Sequence, residues 1–98
     1  MRAEVYDIAV PGTQTTGTPL SCANLRDKYV QVTGIAGGGV LKLEVTIDGS
    51  TWVRSGADVN ADGIYAIAET AQQIRANRST LGSGTWTAKL SGFNVRAD

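Results

Sequence analysis

The residues best suited to chemistry lie between positions 52 and 78. Asp58, Asn60 and Asp62 stand at positions 1, 3 and 5 of a twelve-residue window, with Gly63 at position 6 and Glu69 at position 12. That is the ligand spacing of a calcium loop: three side-chain oxygens, a glycine for the sharp turn, and a carboxylate that can close the coordination sphere with both oxygens. An EF-hand also needs a helix entering the loop. Ile47 to Ala57 instead contains Asp-Gly, Ser-Thr, a tryptophan and a second glycine. The competing reading is a β-turn at Asn60-Ala61-Asp62-Gly63, made of residues that favour turns. The flanking sequence favours the turn. Asp58, Asn60, Asp62 and Glu69 remain the alternative metal set, and no metal or other cofactor is expected.

Trp52 and Trp86 could form an aromatic platform for a sugar ring or a partner. Trp86 is in phase with Ala88 and Leu90 and reads as core. Trp52 sits beside a turn, between Thr51 and Arg54, and stays open between core and surface. Trp52 and Arg54 are therefore the candidate binding residues. Arg54, Arg75 and Arg78 could make a local basic spot, but six aspartates and three glutamates favour surface ion pairs. Cys22 has no histidine anywhere in the chain to activate it, so it reads as a small buried hydrophobe. Asn77-Arg78-Ser79 spells a glycosylation acceptor, which carries little weight without a secretory signal.

Composition narrows the function classes. Without histidine, the usual general base and the commonest metal ligand are missing. One cysteine allows neither an intrachain disulfide nor a cysteine-based zinc site. Nine basic residues balance nine acidic ones, which argues against a nucleic-acid partner. No apolar run approaches the roughly 20 residues of a membrane span, and Met1-Arg2-Ala3-Glu4 opens no signal peptide. The expectation is a non-enzymatic chain made in the cytoplasm. At 98 residues it should form one domain. Only 18% of residues are charged; a lightly charged, neutral surface suits a protein covered by neighbouring subunits.

Alternation of period two must supply the scaffold. From Val40 to Asp48, Leu41, Leu43, Val45 and Ile47 share one face, and Lys42, Glu44 and Thr46 the other. Asp48-Gly49 then turns the chain into a return strand at Thr51-Trp52-Val53. Glu4 to Val10, Lys28 to Gly34 and Thr85 to Leu90 alternate similarly, with Phe93 and Val95 extending the last. Ile64, Ile67, Ala68, Ala71 and Ile74 have helical spacing, but two strands, Gly63 to Ala68 and Gln72 to Asn77, fit the surrounding pattern better. Residues 11–18, rich in threonine and glycine, read as an exposed loop or arm. Short strands with glycine turns predict an all-β sandwich or barrel. The expected core is Val30, Val32, Leu41, Leu43, Val45, Ile47, Trp86 and Leu90.

Tyr29-Val-Gln-Val-Thr-Gly34 followed by Val40-Leu-Lys-Leu-Glu-Val-Thr-Ile-Asp-Gly-Ser-Thr-Trp52 resembles small virion proteins of tailed bacteriophages. Ala61-Asp-Gly-Ile-Tyr65 and Ile74-Arg-Ala-Asn77 continue the likeness, which covers about residues 28–92 and looks most like capsid decoration, or cement, proteins. The resemblance implies an antiparallel, jelly-roll-like β-sandwich of seven or eight short strands. It also implies a homo-oligomer located in the virion that binds phage capsid protein; the balanced charge and the lack of a long apolar run leave neither nucleic acid nor membrane as an expected partner. The family offers no catalytic residues to carry over. A carbohydrate-binding or receptor-binding module of a phage appendage, using Trp52 or Trp86, is the alternative.

Overall fold

The computed structural model describes residues 2–96, which form eight strands and no helix. They are β1 (Arg2–Ile8), β2 (Leu20–Ser21), β3 (Leu25–Thr33), β4 (Val40–Thr46), β5 (Val53–Arg54), β6 (Gly63–Ile67), β7 (Gln73–Thr80) and β8 (Thr87–Asn94). Two four-stranded antiparallel sheets make a β-sandwich, in the orders β1-β8-β3-β6 and β2-β7-β4-β5. The pairs β4–β5, β3–β6, β2–β7 and β1–β8 are those of one long antiparallel ribbon, folded at the β4–β5 turn and wrapped across both sheets. Only β4 and β5 are neighbours both in sequence and in a sheet.

Alternation decides what each strand buries. β4 turns Leu41, Leu43 and Val45 inward, β7 contributes Ile74 and Ala76, and β8 contributes Ala88 and Leu90. Val30 and Val32 of β3 lie beside Ala88 and Leu90 in the first sheet, and Ile8 and Trp86 join the same buried core. Each large side chain buried here stabilises the fold by roughly 1.5–3 kcal/mol. The stretch 63–80 is two strands, as its setting predicted. Ile67 and Ile74 are buried in different sheets, so the helical spacing of the isoleucines is coincidental.

Ile47 departs from the expected core: it is 75% exposed. β4 ends at Thr46, two residues earlier than the alternation suggested, because the turn captures that side chain. The Thr46 hydroxyl donates to Asp48 Oδ1 at 3.1 Å and accepts from the Gly49 amide at 3.0 Å, and Thr46 is buried beside Val45. Two successive inward residues break the parity and put Ile47 outside. The return strand is likewise shorter than expected, with Trp52 just before β5.

β3 carries a β-bulge between Arg26 and Tyr29, and Asp27 adopts a left-handed φ of 54°. The extra residue lets Leu25 face the core together with Lys28, Val30 and Val32. Residues 12–16 are an exposed loop, and its backbone is tied down. The Gly17 amide donates to the Ala76 carbonyl at 2.8 Å, and the Arg78 amide donates to the Thr15 carbonyl at 3.0 Å. It is a strapped loop along β7, not a free arm.

Asp48 anchors the β4–β5 turn. Its Oδ1 accepts from the amides of Ser50 and Thr51, each at 2.8 Å. These amides, Thr51 first, and then the Thr46 hydroxyl hold the Asp48 carboxyl below the usual carboxylate range. A depressed folded-state value means that the stabilisation is complete at neutral pH and is lost as pH falls through that value. Asp48→Asn should therefore make acid denaturation, followed by circular dichroism, less steep than in the parent protein.

Candidate functional site

The calcium-loop residues do not converge. Asp58 Oδ1 pairs with Arg54 Nη1 at 2.8 Å, Asp62 Oδ1 accepts from the Ile35 amide at 3.0 Å, and Glu69 accepts from the Ser55 hydroxyl. Asn60 is exposed in the turn between β5 and β6. Strands, not helices, flank the window. Among the described residues no three histidine, cysteine or acidic side chains are grouped closely enough to hold a metal ion. The spacing satisfied a sequence pattern whose geometry depends on a helical context that this sandwich lacks.

Trp52 and Arg54 are placed apart in function. The Arg75 guanidinium lies over the Trp52 ring, 4.2 Å from its centroid, and donates from Nε to Glu44 Oε1 at 2.8 Å. Asn77 Nδ2 reaches the other oxygen of Glu44 at 3.1 Å. Trp52 is thus a half-exposed surface residue with one face occupied by an arginine that a carboxylate holds in place. Arg54 turns to Asp58 in an exposed ion pair, worth about 0.2–1 kcal/mol.

Arg78 behaves differently from the other two arginines, and the expected surface pairing does not apply to it. It is 3% exposed and has no carboxylate partner among the described contacts. Its guanidinium donates to three main-chain carbonyls: Leu81 at 2.9 Å, Pro11 at 3.1 Å and Gly84 at 3.1 Å. It also lies 3.7 Å from the centroid of the buried Trp86 ring, whose Nε1 donates to the Ser83 carbonyl at 2.8 Å. Gly39 completes the packing, since a Cβ there would stand 2.1 Å from the Trp86 ring. This cluster is architectural: it pins three loops at one end of the sandwich.

Cys22 is buried as expected, with its thiol 3.6 Å from the Ala71 carbonyl. Burial pushes the thiol pKa up, against the opposing charge of Lys28. That is the reverse of an activated nucleophile. Lys28, which the sequence reading passed over, is 5% exposed, and its Nζ donates to the Leu25 carbonyl at 3.5 Å. Its even-numbered register with Val30 and Val32 was the available signal.

Exposed apolar side chains cluster on the outer face of the β1-β8-β3-β6 sheet. Register aligns Val5, Ser91, Tyr29 and Ala66 in one row, and Asp7, Lys89, Gln31 and Ile64 in the next. Val5 (64%), Ile64 (68%), Tyr29 and Phe93 are large exposed apolar side chains on this face. Val5, Tyr29 and Ile64 line a shallow depression together with Gln31, Lys89 and Ser91. Asp7 and Lys89 form an ion pair at 2.8 Å, so the face carries little net charge. The outer face of the other sheet is more polar, with Arg75 and Asn77 each donating to Glu44.

No helix among the described residues is long and apolar enough to cross a membrane. Comparison of the chain with protein-family models, with curated proteins and with solved structures finds no match.

Two measurements check this description. The melting temperature should be the same in calcium and in chelator; a calcium-dependent rise would restore the Asp58–Glu69 site. Arg78→Lys keeps the charge but loses the planar fork, and should lower the unfolding free energy in urea by about 2–4 kcal/mol.

Proposed function

We propose that this chain is a non-enzymatic structural protein of a tailed-phage virion, a capsid decoration protein that binds assembled capsid subunits as a homo-oligomer. The observation that carries the reading is the outer face of the β1-β8-β3-β6 sheet. It is a regular sheet surface bearing Val5, Tyr29, Ile64 and Phe93, on a domain with no net charge. Several large exposed apolar side chains on one sheet face, set among polar ones, are consistent with an interaction site. The wrapped-ribbon pairing of the strands supports the jelly-roll-like arrangement expected of such proteins. Many symmetry-related copies on a shell let modest contacts per copy sum to stable attachment. The non-enzymatic part of the reading rests on the absence of histidine from the sequence.

Co-sedimentation with assembled tailed-phage capsids stripped of decoration protein tests the proposal. The wild-type chain should saturate the shell. Val5→Glu combined with Tyr29→Glu should bind at least tenfold more weakly while retaining the β-sheet spectrum. Failure of the wild type to bind, or undiminished binding by the variant, would reject the reading. Glycan binding lost on Trp52→Ala would favour the carbohydrate-binding alternative instead.

A further inference from the structure

The four sheet edges are not equally protected. The β2-β7-β4-β5 sheet ends in strands of two residues each, and irregular segments continue its edges. Thr16 bridges to Asn77 on one side, and Val59 bridges to Leu41 on the other. Short, broken edges of this kind pair poorly with another chain. β1, an edge of the other sheet, is seven residues long but carries Arg2, Glu4 and Asp7. Charged side chains are a common protection of an edge.

β6 has no such protection. Gly63-Ile64-Tyr65-Ala66-Ile67 contains no charge, no proline and no bulge in its pairing with β3. Its backbone groups on the far side from β3 are left with no main-chain partner among the described residues. An uncharged edge strand with exposed isoleucine is a template for strand pairing.

We infer that β6 pairs antiparallel with β6 of a second copy about a two-fold axis at Tyr65, joining two four-stranded sheets into one of eight strands. The choice of a second copy rests on self-complementarity in that register. A two-fold axis perpendicular to the sheet must place outward residues opposite outward residues, which allows it at Ile64, Tyr65 or Ala66; the axis at Tyr65 is the one that pairs all five residues of the strand. Ile64 then faces Ala66, and Gly63 faces Ile67, each pair large against small. The flanking acids do not collide: Asp62 falls opposite Ala68, and Glu69 opposite Ala61. With equal numbers of acidic and basic residues, the two copies experience no net repulsion as they approach. The pairing also puts the exposed Ile64 of both copies on the outer face of the joined sheet, beside the depression that Tyr29 and Val5 line.

This inference gives the homo-oligomer of the proposed function its interface. The test uses the free chain in solution, so its failure is separate from failure to bind a capsid. Sedimentation velocity from 1 to about 200 µM should show a monomer–dimer equilibrium. Ile64→Lys, an outward and exposed position, should weaken it at least tenfold, whereas Val5→Lys on β1 should leave it unchanged. Amide hydrogen exchange on β6 should slow as concentration rises, while exchange on β1 does not. A wild-type monomer at every concentration would overturn the pairing. So would a dimer indifferent to Ile64→Lys, or concentration-dependent protection on β1 in place of β6.

Discussion

A guanidinium removed from water must be met by other groups, and the loop end of this sandwich is organised around that requirement. Arg78 is buried without a carboxylate, so its charge is distributed over the carbonyls of Pro11, Leu81 and Gly84 and the face of Trp86. Those carbonyls come from two connections far apart in sequence. Satisfying one side chain therefore fixes the exit of β1 and the link from β7 to β8. The link from β3 to β4 is held in the same cluster: Gly39 packs on the Trp86 ring, and the Ser83 amide bonds to the Ala36 carbonyl. The wrapped ribbon needs such a clasp, because its outer strand pair, β1 with β8, joins the two extremes of the chain.

The two sheets then have different surfaces. One has edges of two residues and an outer face whose charged groups are committed to one another, Glu44 to Arg75 and Asn77. The other has longer edges and an outer face of Val5, Tyr29, Ile64 and Phe93. A protein selected only to remain a free monomer gains nothing from that asymmetry. In the assembly role proposed above, one face and one edge would be kept for neighbours.

Much of this was legible from residue alternation. Leu41, Leu43 and Val45, the pair Val30 and Val32, and the row Trp86, Ala88 and Leu90 all occupy the faces their spacing predicted. The preference for two strands over a helix at 63–77 was decided by context, and context was correct. Three features escaped for identifiable reasons. Ile47 moved outward because a threonine hydroxyl was taken up by the turn, a tertiary outcome that hydropathy does not register. β2 is two residues long, too short to show a period. Arg78 looked like a surface charge because arginine usually is one, and its carbonyl cage is assembled from distant loops. The calcium pattern at Asp58 to Glu69 shows the opposite failure, in which correct spacing occurs in a backbone that directs each oxygen elsewhere.

The working surface we propose is the outer face of the β1-β8-β3-β6 sheet. Electron microscopy of tailed-phage particles assembled with this chain would test that most directly. The account predicts ordered density on the shell, with Val5 and Tyr29 covered by capsid protein and β6 strands of adjacent copies paired. A chain absent from all particles, or bound with that face open to solvent, would contradict it.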